Sequence, residues 1–298
     1  SRAITSPAGT ADAMETVTRV DLGPTLMRKV VEQEGGCLAW GGALNLSPAD
    51  DIFIGVERQL DVDPEGQLIA SVLSKKIAAG VSRVVLDIPV GPTAKVRSQE
   101  SAGRISRRLV EIASRFGLEV RCQLSDGSQP VGRSIGPALE MIDVLSVLRG
   151  ETCAPPDLRD RALALASDVI ALGTGWTSNE ADRKARLTLE SGAAYEKFER
   201  ICHAQGAFRE PMRAKLQHVI TAPSAGRIMS INNRVVAQLA KLAGAPDVPA
   251  AGLRIHVRLG DQVEKGQQLM TLYAQTQAEL AYPLAYAAAT PNGIVIEA

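Results

Sequence analysis

The chain has 298 residues, of which 45% are hydrophobic, so it is long enough to bury at least one sizeable core and, by length, to form two domains. Its 33 lysines and arginines balance 33 aspartates and glutamates, which argues against a general attraction to nucleic acid or to an anionic membrane. No apolar run approaches the roughly 20 residues of a membrane-spanning helix, and the cysteines and histidines lack metal-ligand spacing. We therefore expect a soluble cytoplasmic protein with reduced thiols, without a structural metal and with neither nucleic acid nor a membrane as its partner.

Hydroxyl-bearing and small side chains dominate the first ten residues, and a helix-compatible run follows at residues 11–17. A loop of this kind before a helix can present backbone N–H groups and the hydroxyls of Thr5, Ser6 and Thr10 to a phosphate. The same residues are also typical of a capped turn in which Ser6 or Thr10 is the N-cap. The residues alone leave both interpretations open.

Two short elements come next in the chain. Residues 24–34 predict a helix that ends at the glycine pair of residues 35 and 36. Residues 37–40 are apolar and stand before a second glycine pair, so they predict a short strand.

The best-defined helix begins at Asp63 and Pro64, a favourable N-cap and first helical residue, and ends at Gly80. Apolar residues recur at steps of three and four along it and form one face, which consists of Leu68, Ile69, Val72, Leu73 and Ile77. Because Ser71 and Lys75 are four residues apart, they project from the same side of this helix.

A buried strand follows at residues 84–86 and is closed by Pro89 and Gly91. Its apolar residues are typical of a parallel sheet that is covered on both faces. Ligands of such sheets bind beyond the carboxyl ends of the strands, so we expect Asp87 and the turn at residues 91–95 to border a binding site.

Strands and helices continue to alternate, with a helix at residues 98–116, a strand at 118–124, a loop at 125–130 and a helix at 135–149. This alternation predicts an α/β fold with a parallel or mixed sheet and flanking helices. Residues 155–206 are helical and charged, and their charge runs are typical of solvated faces.

The pattern changes near residue 211. One helix is predicted at residues 234–242, and strand-like runs occur at residues 219–220, 227–229, 255–257 and 269–273. His256 alternates with apolar neighbours, so we expect a histidine with satisfied hydrogen bonds. The sequence thus predicts an α/β domain at residues 1–208, which includes the helical segment at 155–206, and a smaller α+β domain at residues 209–298.

Several segments together resemble one known family. They are SRAITS at residues 1–6, AGTAD at 8–12, WGGALNLSPADD at 40–51, DPEGQLIASVLSKK at 63–76, DIPVGP at 87–92, and the glycine-containing residues 252–274. The chain resembles the thymidine and pyrimidine-nucleoside phosphorylases over nearly its whole length. Within this family it is most similar to the archaeal-type branch that contains AMP phosphorylases and bacterial thymidine phosphorylase-type proteins.

The resemblance implies a pentosyltransferase that takes inorganic phosphate as co-substrate and needs no other cofactor. Phosphate attacks the anomeric carbon of a nucleoside or nucleoside 5′-monophosphate, and the base leaves. Similarity to the AMP phosphorylases implies that Asp63 is the proton donor to the base and that Ser71 and Lys95 complete the site. Similarity to the pyrimidine enzymes implies that Ser71 and Lys75 hold the edge of the base. The implied substrate-binding residues are Ser1, Arg2, Ala3, Ile4, Thr5, Ser6, Thr10, Ser71, Lys75 and Lys95.

The sequence also departs from the family pattern. The pyrimidine enzymes place an arginine fifteen residues before the serine, where this chain has Val56. As an N-cap, Asp63 would be stabilised in its charged form, whereas a general acid holds its proton near neutral pH. The family's glycine-rich phosphate-binding segment and helical dimerisation region do not occur in these residues. We therefore expect the chain to be the C-terminal part of a longer homo-oligomeric enzyme and to be inactive alone.

Two alternatives come from other functional classes. Residues 260–265 have the shape of a lipoyl or biotinyl hairpin, which would make the C-terminal region a carrier module. In the second alternative, the chain is a non-catalytic fragment or an assembly module.

Overall fold

The computed structural model describes residues 1–44, 65–290 and 293–297. The helices are α1 (Thr10–Glu15), α2 (Pro24–Glu34), α3 (Glu65–Ala78), α4 (Gln99–Ser114), α5 (Pro137–Leu148), α6 (Pro156–Thr174), α7 (Ser178–Glu190), α8 (Ala193–Ala204), α9 (Asn233–Leu242) and α10 (Gln277–Ala289). The strands are β1 (Arg83–Val90), β2 (Glu119–Asp126), β3 (Ser134–Ile135), β4 (Leu216–Thr221), β5 (Gly226–Ile231), β6 (Gly252–Ile255), β7 (Gln262–Val263), β8 (Gln268–Ala274) and β9 (Ile294–Glu297).

A parallel strand pair with two helices packed on it forms the first layered part of the fold. Strand β1 pairs with β2 from Arg83 opposite Glu119 to Val90 opposite Asp126. The apolar faces of α3 and α4 pack on this pair, and their shared core contains Leu73, Ile88, Ile105 and Leu109 among others. The predicted apolar face of α3 and the predicted parallel strand are therefore confirmed, but residues 84–86 are only partly buried, so the expected burial on both faces is wrong. The helix ends before Gly80, as predicted, whereas the predicted start at Asp63 and Pro64 lies outside the described residues.

The prediction of a strand at residues 37–40 is wrong. The N–H of Leu38 donates to the side chain of Gln205 at 2.7 Å, and the N–H of Trp40 donates to the carbonyl of Val20 at 2.8 Å. These acceptors belong to different parts of the chain and do not form the regular row of carbonyls that a neighbouring strand would offer. One of these partners is a side chain, so the segment forms no strand. By contrast, α2 has the predicted bounds and ends at Gly35 in the left-handed region.

The predicted helix at residues 135–149 begins two residues later than expected. Ile135 belongs to β3, which pairs with β6, and Gly136 is the N-cap of α5. Gly136 and Gly252 both have positive φ, and the two strands approach so closely here that a Cβ at Gly252 would overlap the carbonyl oxygen of Ile135. A side chain at either position would separate β3 from β6.

The C-terminal residues form two antiparallel sheets around one apolar core. The four-stranded sheet has the order β3-β6-β8-β4, and the three-stranded sheet has the order β7-β5-β9. Helices α9 and α10 pack over them. His256 follows β6, and its Nε2 is hydrogen-bonded to the hydroxyl of Thr271 at 2.7 Å, so the prediction of a satisfied histidine is confirmed.

The predicted domain boundary after residue 208 stays a prediction. The four-stranded sheet takes β3 from the N-terminal side of that boundary, so the two parts of the chain share a hydrogen-bonded sheet. Among the described residues, no helix combines the length and the apolar character that a bilayer crossing requires.

Candidate functional site

The N-terminal loop is folded onto the start of α1 by one carboxylate. Oδ2 of Asp12 accepts hydrogen bonds from the backbone N–H groups of Ala3 at 2.6 Å and Gly9 at 2.9 Å. Its Oδ1 accepts from Nη1 of Arg2 at 3.1 Å. The N-cap of α1 is Gly9, whose Cα lies so close to the backbone of Arg2 that a Cβ would overlap it.

The sequence interpretation of Ser6 or Thr10 as the N-cap is therefore wrong. The hydroxyl of Ser6 donates to the carbonyl of Ala8 at 2.9 Å, and Thr10 is the first residue of the helix. Asp12, three residues after the N-cap, takes the capping role instead. Sequence reasoning missed Asp12, although an acidic residue in the first turn is a typical helix-start signal.

The guanidinium of Arg2 is held by protein groups. Besides Asp12, it donates to the carboxylate of Glu15 at 2.6 and 3.1 Å, and it lies 4.7 Å from the ring centroid of Trp40. The hydrogen bond to Glu15 is the main cause that raises the pKa of Arg2. The structure thus places this predicted substrate-binding cation where two carboxylates already neutralise it.

Most of the residues predicted from the resemblance line one cavity of about 530 Å³. The predicted residues in its wall are Ser1, Arg2, Ile4, Thr5, Ser6, Thr10 and Lys95. The cavity lies between the N-terminal loop, the turn after β1 and the first turns of α5. Ala3 is not in this wall, because its side chain is buried against the loop with 6% exposure.

Ser71 and Lys75 lie on α3, where both are partly buried, and neither is in the wall of this cavity. Lys75 is nevertheless near the loop. The pKa of the Ser1 amino group is lowered by burial first and next by the positive charge of Lys75. The remaining predicted residue, Asp63, lies outside the described residues.

Lys95 is positioned by the carboxyl ends of the parallel strands. The turn at Gly91 packs backbone to backbone against Gly127, so closely that a Cβ at Gly91 would overlap it. Asn233, at the start of α9, donates its side-chain amide to the carbonyl of Gly127 at 2.9 Å and its N–H to the hydroxyl of Thr93 at 3.1 Å. These contacts hold the turn that carries Lys95 at the edge of the sheet, where a ligand was expected.

Asp87, which was also expected at this edge, is bound within the protein. Its carboxylate is hydrogen-bonded to the hydroxyl of Ser125 on β2, and Nη1 of Arg161 donates to it at 3.1 Å. Arg161 comes from α6, so Asp87 fastens that helix to the strand pair. Asp87 is not in the wall of the 530 Å³ cavity.

The cavity also contains a residue that sequence reasoning missed, Glu140. It lies in the first turn of α5, and its Oε1 accepts a hydrogen bond from the N–H of Gly136 at 3.1 Å. Burial raises the pKa of Glu140 to about 7; the Gly136 hydrogen bond opposes this, and the charges of Asp143 and Asp12 add to it. In the sequence, an acid soon after a glycine and a proline reads only as a helix start.

A second cavity, of about 670 Å³, lies on the other side of the N-terminal loop. Thr5 and Ser6 line both cavities, and Lys241 of α9 lines the second one. The Nζ of Lys241 donates to the carbonyl of Thr5 at 3.3 Å. In the part of the chain that the structure describes, no group of three or more His, Cys, Asp or Glu side chains is arranged to hold a metal ion.

Two family models match different parts of the chain. Residues 1–195 match the family model described as "Glycosyl transferase family, a/b domain". The chain belongs to this glycosyl transferase family. Residues 227–291 match the model of the "Pyrimidine nucleoside phosphorylase C-terminal domain". The resemblance and the α/β fold class predicted from the sequence are thereby confirmed.

Curated relatives are similar in sequence to nearly all of the chain. A protein of Parvibaculum lavamentivorans named "Putative thymidine phosphorylase" is 60% identical over 286 residues, which are 96% of this chain and 57% of the relative. A protein of Chelativorans sp. with the same name is 57% identical over 298 residues, which are 100% of this chain and 58% of the relative. The chain thus spans less than two thirds of the length of these relatives.

The C-terminal match bears on the carrier alternative. Residues 260–265, which resemble a lipoyl or biotinyl hairpin, lie inside the segment that matches the phosphorylase C-terminal domain. This hairpin is therefore part of a glycosyl transferase family member, and the match gives no support to a swinging-arm carrier.

Proposed function

We propose that the full-length protein is a pentosyltransferase that cleaves the N-glycosidic bond of a (deoxy)nucleoside or nucleoside 5′-monophosphate with inorganic phosphate. The observation that carries this proposal is the convergence of the hydroxyl-bearing loop, Thr10 and Lys95 on one cavity in a member of the glycosyl transferase family. The names of the relatives support the same reaction class.

The reaction would need groups that hold phosphate and a group that gives a proton to the leaving base. A phosphate oxygen forms a bond to the anomeric carbon while the bond from that carbon to the base nitrogen breaks, and the base leaves with a proton. The hydroxyl of Thr10, in the first turn of α1, would contribute to holding the attacking phosphate, and holding the two reactants together supplies much of the rate. By similarity to the family, Asp63 would give the proton to the base. The products would be the free base and (deoxy)ribose 1-phosphate, or ribose 1,5-bisphosphate from a nucleotide.

We further propose that a nucleoside 5′-monophosphate is accepted at least as well as thymidine. A 5′-phosphate requires a cation and hydrogen-bond donors in addition to those for the attacking phosphate. Because Asp12 and Glu15 bind the guanidinium of Arg2, Lys95 would carry this role with the hydroxyls of Thr5 and Ser6. Val56, in place of the family arginine, agrees with a base site that differs from that of the pyrimidine enzymes.

The test is kcat/KM of the full-length enzyme for AMP, CMP, UMP and thymidine at saturating phosphate, measured for the wild type and for Lys95→Ala. We expect Lys95→Ala to lower kcat/KM for the preferred nucleotide by about tenfold or more, since a charge-assisted phosphate contact is worth roughly 1.5–3 kcal/mol. Lys29→Ala, on the exposed side of α2, is the matched control and should leave kcat/KM unchanged. A clear preference for thymidine that Lys95→Ala does not alter would contradict the nucleotide proposal.

The cellular setting is also a proposal. We propose that the full-length protein acts in the cytoplasm, in nucleotide salvage, as a homo-oligomer such as a dimer. All four cysteines are free thiols, which supports a reducing compartment. Size-exclusion chromatography with light scattering on the full-length protein would measure its oligomeric state.

A further inference from the structure

The reaction proposed above assigns no role to Glu140. It lines the cavity together with Thr10 and Lys95. Its Oε1 accepts the N–H of Gly136, whereas Oε2 makes no hydrogen bond to any described residue. One oxygen of the carboxyl group is thus fixed by the start of α5, and the other is left for a ligand.

The charges around Glu140 come from the elements that pack on α5. Asp12 of α1 and Asp143 of α5 are both near enough to raise the pKa of Glu140, and Arg2 of the N-terminal loop and Lys95 of the turn after β1 line the cavity with it. Arg254 of β6 donates to the carboxylate of Asp143 at 3.0 Å. Among the described residues, α6 and α8 contribute no charged side chain to the cavity wall.

Phosphate and an ionised Glu140 would oppose each other in this cavity. A carboxylate only accepts hydrogen bonds and repels a second anion, whereas a neutral carboxylic acid donates one hydrogen bond. Burial raises the pKa of Glu140 to about 7, so both forms are populated near neutral pH.

We propose that Glu140 is a ligand of the attacking phosphate bound beside Thr10, to which it donates a hydrogen bond from Oε2 as the neutral acid. This inference rests on the proposed function, in which phosphate is the nucleophile. Binding of phosphate then favours the protonated form, so one proton is taken up from solution as the complex forms at a pH above 7. The affinity for phosphate consequently falls as the pH rises through the pKa of Glu140.

The experiment is isothermal titration calorimetry of the full-length protein with inorganic phosphate between pH 6 and 8.5. Two buffers of different ionisation enthalpy are used, so that proton uptake on binding can be measured. Glu140→Gln keeps a side-chain oxygen for Gly136 and a donor for phosphate, but it cannot ionise. Because both proteins meet the same phosphate species, the ratio of their Kd values isolates the effect of Glu140. We expect the wild type to lose about tenfold or more in affinity relative to Glu140→Gln over this range, with net proton uptake only in the wild type.

Glu100→Gln, in the exposed first turn of α4, is the matched control and should follow the wild type at every pH. If Glu140 only caps α5, its substitution changes thermal stability but leaves the phosphate profile parallel to that of the wild type without proton uptake. That result overturns this inference and leaves the proposed function intact. If the wild type binds no phosphate at any pH, the proposed function fails as well.

Discussion

Two carboxylates one turn apart on α5 have opposite surroundings. Oδ2 of Asp143 accepts the N–H groups of Arg133 and Ser134, both at 2.8 Å, and Oδ1 accepts from Arg254. Three donors, one of them charged, occupy both oxygens of this buried side chain. Glu140 receives a single backbone N–H, which does not offset the effect of burial on its pKa. Asp143 is therefore hydrogen-bonded through both oxygens within the protein, whereas burial raises the pKa of Glu140.

The first residue-scale prediction concerns Asp143, which is 3% exposed. Asp143→Ala removes the carboxylate that Arg254 and the N–H groups of Arg133 and Ser134 donate to, so we expect a loss of about 3–5 kcal/mol in the free energy of unfolding, measured with urea. Asp182→Ala is the control, because Asp182 pairs with Arg186 on the exposed surface of α7, and such a pair contributes about 0.5 kcal/mol or less. Equal losses in the two variants would contradict the assigned role of Asp143.

Sequence patterns predicted the residues of the candidate site better than the contacts between them. Ser1 to Ser6, Thr10 and Lys95 are recognisable from the segments that carry the resemblance, and all but Ala3 line the cavity. The neutralisation of Arg2 was not predictable, because it depends on how Gly9 lets the loop fold back onto α1. Glu140 was missed because its burial is created by α1, which is far away in the sequence.

At the scale of elements, local periodicity was sufficient wherever a helix or strand packs through one regular face. Helix α3 and the parallel pair of β1 and β2 are of this kind. Local periodicity failed where the hydrogen-bond partners of a segment are distant in the sequence and irregularly placed. Residues 37–40 bind the side chain of Gln205, and the two-residue strand β3 is too short to show alternation. These elements are set by tertiary contacts that no window of sequence contains.

The element-scale prediction concerns the close approach of β3 and β6. Gly252→Ala must push the strand away from the carbonyl of Ile135 and also adopt a positive φ, so we expect a loss of about 2 kcal/mol or more in unfolding free energy. Gly173→Ala lies near the end of α6 with no atom close to the added Cβ. It should be neutral or stabilise by up to about 1 kcal/mol.

Urea denaturation of the two glycine variants provides the comparison. Because both substitutions add the same methyl group, a difference between them reports the local backbone and not the change in composition. A Gly252→Ala variant as stable as Gly173→Ala would show that β3 and β6 do not require the close approach.

At the scale of the whole molecule, two residues of the proposed phosphate site, Thr10 and Lys95, are exposed on this chain. Exposed cations attract anions weakly, and phosphorolysis gains from the exclusion of water. We therefore expect the 298-residue chain alone to release free base from a nucleoside monophosphate at less than about one hundredth of the full-length rate.

The assay follows base release at saturating phosphate, after circular dichroism has verified that the isolated chain is folded. The full-length protein assayed under the same conditions is the reference. Comparable turnover by the two proteins would contradict this prediction and would mean that the 298-residue chain contains a complete catalytic site.

The short strand β3 has a consequence for how this protein can be divided. It covers the outer edge of β6, although it precedes the rest of that sheet by roughly eighty residues. A fragment that begins at the predicted boundary would keep β6 but lose β3, which pairs with it. The unpaired backbone groups at the edge of β6 could then form hydrogen bonds with a strand of another molecule. Residues 209–298 prepared alone would therefore tend to self-associate through β6, and supplying residues 134–135 as part of a longer piece would suppress that association.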